Sequence, residues 1–301
     1  MKIFVAGGSG FVGSRIVALL TELGHDVACL VRRPDLAKFP DSVVVLQEGD
    51  ALNPASVAQK ISGYDAVINL IGIIRDYPSK GVTFRSAHVD ATQNMVHIAL
   101  EAGIKRFLQM SANGTSPEGT EYQVTKYEAE EIVKSSGLDF TIFRPSVMFG
   151  PPPAGRTEFC SQLAGMIRRL PVIPIFDDGS YCLQPIHVDD VARCFVSALD
   201  SKEAVGLVLH LGGDDVLSYG AALDFICIGM GISPRKKISL PWRYVKPLFR
   251  LLEKYPSFPA THYQIDMLLE GNTIPENDFK KLFGIRPKEF SFFTLNYLTG
   301  R

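Results

Sequence analysis

Residues 3–13 read Ile-Phe-Val-Ala-Gly-Gly-Ser-Gly-Phe-Val-Gly. An apolar run from Ile3 to Ala6 leads straight into glycines at 7, 10 and 13, and Ile16, Val17, Leu19, Leu20 and Leu23 follow at helical spacing. Strand, tight turn and helix in that order form a phosphate cradle. Gly7 allows the tight turn. Gly10 lets backbone approach a pyrophosphate with no Cβ in the way, and Gly13 lets the helix pack close to the strand. The helix N-terminus adds free N–H groups and partial positive charge. Gly7, Gly8, Ser9, Gly10, Phe11, Val12 and Gly13 are therefore candidate dinucleotide contacts. The competing reading is a glycine turn with no ligand.

Outward from this segment, short β runs alternate with helices. Strands are expected at Asp26–Val31, 42–47, 66–71, Arg106–Met110 and 140–144, and helices at 86–102 and 122–135. Apolar strands separated by helices predict an α/β fold with a doubly wound parallel sheet. After Pro145 the breaker cluster Gly150-Pro-Pro-Pro-Ala-Gly155 marks a change of texture. The expected partition is a dinucleotide-binding domain over 1–150, rejoined by 183–200, and a smaller C-terminal α/β cap built from 151–182 and 201–301. Such a cap would lie over the C-terminal edge of the sheet, where these folds bind ligands.

Bulk properties exclude some functions. The net charge is −1, so nothing draws the chain to nucleic acid, and 46% apolar residues suffice for a large core. The five cysteines are scattered, which argues against a disulfide framework or a zinc site and predicts buried thiols. No metal site is expected: the Asp177-Asp178 and Asp214-Asp215 pairs read as turn carboxylates. A core strand at the very start leaves no room for a signal peptide, and there is no stretch of transmembrane length. The expected location is the cytoplasm.

The second strand ends in Val31-Arg32-Arg33-Pro34. A carboxylate in this place would hold a ribose 2′-hydroxyl, whereas a guanidinium can grip a 2′-phosphate through two hydrogen bonds. Arg32 and Arg33 thus favour NADP(H), with NAD(H) left open. Tyr122-Gln-Val-Thr-Lys126 puts a phenol and an amine on one helix face.

These features lie among further matches: Gly103-Ile-Lys-Arg-Phe-Leu-Gln-Met-Ser111, Phe143-Arg-Pro-Ser-Val-Met-Phe-Gly-Pro151 and Ile186-His-Val-Asp-Asp-Val-Ala192. Together they resemble the extended and atypical short-chain dehydrogenases/reductases, the NAD-dependent epimerase/dehydratase family. The resemblance implies that Tyr122 moves the substrate proton, and that Lys126 lowers the phenol pKa and binds the nicotinamide ribose. It implies that Asp50 and Ala51 lie at the adenine, and that Leu70, Ile71 and Gly72 sit beside the cofactor. Met110, Ser111, Pro145 and Val147 complete the implied cofactor set. Ile73, Ile74, Met148 and Phe149 would line an apolar substrate site.

The pattern also departs from the family. Extended sugar-nucleotide enzymes carry a catalytic Ser or Thr where this chain has Asn113, so Ser111 or Asn113 is the expected carbonyl partner. These departures, with the arginine pair, are similar to atypical members such as the nucleotide-binding accessory subunit of respiratory complex I. That resemblance leaves three readings open: an NADP(H)-dependent oxidoreductase with a quinone-related or other carbonyl substrate, a nucleotide-sugar epimerase or dehydratase, and a cofactor-binding assembly or sensor protein without turnover. Contact with a membrane surface or a respiratory complex stays open too, as does the oligomeric state. Residues 240–255, where basic and large apolar residues alternate around the single Trp, read either as a packed amphipathic cap helix or as one lying on a membrane or over a lipid-like substrate. His187 is expected to join cap and core. His25, His88, His97, His210 and His262 show no metal-ligand spacing, so packing or polar roles are expected for them.

Overall fold

Ile3, Phe4, Val5 and Ala6 are all fully enclosed, which makes β1 (Lys2–Ala6) a central strand. The computed structural model describes residues 1–36, 39, 44–255, 258 and 260–299. Among them, β1 pairs in parallel with β2 (Asp26–Val31) on one side and with β4 (Ala66–Asn69) on the other. β2 continues to β3 (Val45–Glu48), and β4 to β5 (Arg106–Met110) and β6 (Asp139–Pro145). A seventh parallel strand, Leu207–Leu211, closes the β6 edge. The strand order reverses between β1 and β4, which opens a crevice at the carboxyl ends of those two strands.

The helices cover the sheet as the periodicity requires. α1 (Phe11–Glu22) buries Val12, Ile16, Val17 and Leu20. α2 (Ala91–Glu101) buries Met95, Ile98 and Ala99, and is preceded by a π-helical turn, Arg85–Asp90. α3 (Glu121–Lys134) begins with a capping box, in which the Thr120 side chain and Gln123 satisfy each other's backbone N–H. Helix Val188–Asp200 stacks on α1, where Arg15 pairs with Asp189 at 2.6 Å.

Sequence and structure part at three elements. Expected strand 42–47 becomes Val45–Glu48, and residues 42 and 43 lie outside the described residues. Expected strand 66–71 stops at Asn69. The Asn69 amide turns inward to Thr92 and Gln109 while its Oδ1 accepts the Ile71 N–H, so the chain leaves the sheet there. The Leu207–Leu211 strand falls in a stretch read as cap. It is an edge strand with only Leu209 and Leu211 buried, too weak a pattern to separate from its surroundings.

Two compact units result: residues 1–145, 188–211 and 276–286, and residues 146–187, 212–275 and 287–301. The second has its own core, built on Phe149, Ile167, Ile173, Leu223 and Phe290. Its strands are short pairs: Met148–Phe149 with Ile186–His187, Cys182–Leu183 with Leu217–Ser218, and Ile173–Phe176 with Lys237–Leu240. Phe149, expected to line a substrate site, is instead fully buried here, edge-on to His187 and Phe290. Ile74 is exposed in the first unit. Cys29, Cys160, Cys194 and Cys227 are buried, but Cys182, expected to be buried, is exposed at a strand end. Among the described residues no helix is long and apolar enough to cross a membrane.

The glycine turn yields a stability prediction. A Cβ on Gly13 would lie 2.3 Å from the Gly7 carbonyl oxygen and 2.7 Å from Gly8 Cα, both of them backbone. On Gly10 it would meet only the Gly7 oxygen, at 3.1 Å. Gly13→Ala should therefore cost about 1–3 kcal/mol of folding stability in denaturant titration, and Gly10→Ala less than about 1 kcal/mol. Equal losses would show that helix packing does not require Gly13.

Candidate functional site

The crevice is built backbone against backbone. Gly7 has φ +86°, and a Cβ there would sit 2.9 Å from the Leu70 carbonyl carbon and 3.2 Å from the Ile71 nitrogen. The turn closes through Gly10 N–H to the Gly7 oxygen at 3.0 Å. Gly8 is seated on Cys29, whose thiol burial pushes up to about 12. Gly10 is the N-cap of α1 and no side chain caps that end, so the first N–H groups of the helix keep their capacity for an anion. A phosphate-bearing dinucleotide fits this cradle. Ser9 and Phe11 are half-buried at its rim, and Val12 is buried beneath. Arg32 and Arg33 stand exposed immediately beyond β2. Asp50 is half-buried beyond β3 and its Oδ1 accepts the Leu52 N–H at 3.0 Å, so that oxygen serves a turn. Buried Ala51 accepts from Asn94.

Next to this cradle lies a cluster from four elements. The Lys126 amine, on α3, donates to the Met110 carbonyl at the end of β5 (3.2 Å) and lies where a Cβ on Gly72 would be 3.0 Å away. His88, from the π-helical turn, is buried beside it. Its Nδ1 is 2.9 Å from Thr125 Oγ1, and its Nε2 faces the Ile73 backbone oxygen and nitrogen at 3.1 and 3.2 Å. The Tyr122 ring packs edge-on against His88 and Phe84, with centroids at 5.3 and 5.7 Å. Sequence reasoning gave His88 no part here. A lone His on a helix carries no such signal, because the extra residue of a π-turn sets where it points.

Burial governs the electrostatics. It lowers Lys126 to about 8, against an opposing pull from Glu130. It lowers His88 to about 2, helped by the Lys126 charge, so the imidazole stays neutral. It raises Tyr122 to about 12, which reverses the expected fall. The reason is local: the Phe84 and neutral His88 rings pack on the Tyr122 ring, and the Lys126 amine is held toward Met110 and Gly72.

Ser111 also differs from expectation. It is buried, and its hydroxyl donates to Glu130 Oε1 at 2.5 Å, which commits its one proton away from any carbonyl. Glu130 is fully buried on α3 and grips Arg144 of β6 by two bonds, 2.8 and 2.6 Å. Arg144 and Ser111 hold its pKa below the ordinary glutamate value in spite of burial. Asn113, the other expected partner, is half-buried. Its N–H donates to Pro145 O, and its Oδ1 lies 3.3 Å from His210 Nδ1. Pro145 is buried in the first unit at the end of β6, and Val147 belongs to the second unit, where its N–H donates to Asn272. Among the described residues, no group of His, Cys, Asp and Glu could hold a metal.

Known proteins resemble this chain in sequence and in fold. Residues 3–212 fit the model of the NAD dependent epimerase/dehydratase family, and the chain belongs to that family. It is 26% identical to the mitochondrial NADH-ubiquinone oxidoreductase 40 kDa subunit of Neurospora crassa, over 98% of this chain and 78% of the relative. It is 28% identical to a ceramide reductase of Caulobacter vibrioides, over 68% of this chain and 63% of the relative. The crystal structure of gox2253 shares the fold, with a TM-score of 0.76 at 23% identity, covering 99% of this chain and 96% of that one.

Two measurements probe the electrostatics. The folded Lys126 pKa, about 8, lies below the ordinary 10.5, so the folded state binds fewer protons between these values and stability from this group rises with pH there. Lys126→Met should flatten the pH dependence of unfolding free energy across that window, whereas an unchanged slope would place the titration elsewhere. Arg144→Leu leaves Glu130 buried without its main partner and should cost on the order of 3–5 kcal/mol. In the native chain the Glu130 contribution is complete above pH 4.5 and fades as pH falls through its lower folded value. Without Arg144, burial raises the Glu130 pKa and protonation relieves the buried charge, so the stability gap between Arg144→Leu and the native chain should narrow as pH falls below about 4.5.

Proposed function

We propose that this chain is an NADP(H)-dependent reductase of the epimerase/dehydratase family, acting on the carbonyl of an apolar, quinone-like or lipid-like substrate. The observation that carries the proposal is the cluster of Tyr122, Lys126 and neutral His88 directly beside the glycine cradle. Gly7 to Gly13 would hold the pyrophosphate, Leu70 to Gly72 the middle of the dinucleotide, and Arg32 with Arg33 a 2′-phosphate. When bound, the cofactor supplies the hydride. Tyr122, whose phenol keeps its proton at neutral pH, donates that proton to the carbonyl oxygen as the alcohol forms. Lys126, four residues from Tyr122 and beside Gly72, is the neighbouring amine, and the Asn113 amide is the remaining candidate to hold the carbonyl. The Caulobacter relative, named a ceramide reductase, supports a lipid-like carbonyl. The Neurospora relative, named a respiratory-complex subunit, supports a second reading in which the bound nucleotide serves assembly.

Fluorescence titration of stripped protein with NADPH and NADH tests the cofactor, and single-turnover NADPH oxidation with a panel of quinones and lipid ketones tests the chemistry. NADPH should bind more tightly, and Arg32→Asp should remove that preference by a factor on the order of 10 to 100. Tyr122→Phe should keep NADPH binding and lose about 100-fold or more in reduction rate. Tight NAD(H) with no NADPH preference would overturn the arginine assignment in favour of sugar-nucleotide chemistry. Firm NADPH binding with no reduction of any carbonyl would favour the assembly reading.

A further inference from the structure

Helix Trp242–Leu252, in the second unit, sorts its side chains into three stripes. The inward stripe carries Trp242, which is buried, and Phe249; their rings pack edge-on with Phe176 and Phe258 at centroid distances of 5.0–5.5 Å. A second stripe, Tyr244, Leu248 and Leu251, continued by Tyr255 in the following turn, recurs at helical spacing and is 69%, 52%, 58% and 62% exposed. Beside it run Arg243, Arg250 and Lys254, all exposed.

The acids around this helix are used on its inward side. Asp177 accepts the Trp242 backbone N–H at 2.8 Å, and Asp266 accepts the Trp242 indole N–H at 2.8 Å and the Lys246 amine at 2.7 Å. Glu253 binds the His262 backbone N–H and ring at 2.7 and 2.8 Å. Among the described residues no carboxylate pairs with Arg243, Arg250 or Lys254. The helix is thus pinned from below by acids and aromatics, and turns outward an apolar stripe flanked by unneutralised bases.

We infer that this face docks on an anionic lipid bilayer, with Tyr244, Leu248, Leu251 and Tyr255 entering the headgroup region and Arg243, Arg250 and Lys254 meeting lipid phosphates. Two tyrosines at the ends and two leucines between them match the chemistry of that interface, where amphipathic rings settle at headgroup depth. The bases supply the charge complement. This inference stands apart from the carbonyl-reductase reading, since it needs no catalysis.

The test is co-sedimentation of the full-length protein with vesicles of phosphatidylcholine alone or containing phosphatidylglycerol. The expected result is binding to the anionic vesicles, weakened by added salt. Arg250→Gln/Lys254→Gln should weaken it about fivefold for each base removed. Leu248→Glu/Leu251→Glu should abolish it with unchanged circular dichroism. The charge-neutral pair, at two exposed positions, keeps the test valid should the glutamate pair unfold. Absence of sedimentation would overturn the inference, as would equal binding to both vesicle types in both variants. A concentration-dependent dimer that the glutamate pair dissolves would overturn it too, by assigning the stripe to a second copy of the chain.

Discussion

The backbone of the Gly7 turn touches the backbone of Leu70 and Ile71, and the first unit is arranged around that contact. A peptide can pass another this closely only where no Cβ intervenes, and the positive φ of Gly7 makes the side chain doubly unwelcome. The contact ties the exit of β1 to the exit of β4 at the point where the strand order reverses. It leaves the start of α1 open on one side and sets the route of residues 70–73 on the other. Gly72 continues that route past the Lys126 amine, and Ile73 provides the backbone groups that fix His88.

Electrostatics divides the site into a braced interior and a titratable front. Glu130 is enclosed by Arg144, Ser111 and Lys134, and the first two secure α3 to β6 and to the end of β5. One helical turn away, the Lys126 amine donates to the Met110 carbonyl, so burial bears on it with little relief. Burial keeps a proton on the phenol and leaves the lysine near the edge of its charged state. The same helix holds a firm ion pair at its back and a poised amine toward the crevice, because residues four apart share a face but not a depth.

Much of this was legible in the sequence. The glycine spacing, the strand and helix order, and the Tyr122–Lys126 pair are local patterns, and local patterns survive without coordinates. The doubly wound parallel sheet and the family follow from them, whereas the edge strand Leu207–Leu211 does not. What the sequence hid depended on long-range contact. Ser111 reads as a carbonyl partner, but Glu130, nineteen residues on, takes its proton. His88 looked like an isolated ring until the π-helical turn placed it against Tyr122. Burial, rather than the neighbouring amine, decided the direction of the Tyr122 shift. Phe149 read as a pocket residue and is core, since apolar character does not say on which side of a strand a ring will fall.

The placement of the cysteines has a consequence for how the two units can be followed separately. Cys29 and Cys194 are sealed in the first unit, Cys160 and Cys227 in the second, and Cys182 alone faces solvent. A thiol reagent therefore meets one reactive position on the folded chain, and each further thiol becomes available only when its own unit opens. The native sequence carries two internal clocks of exposure, one per unit, with Cys182 as their common zero.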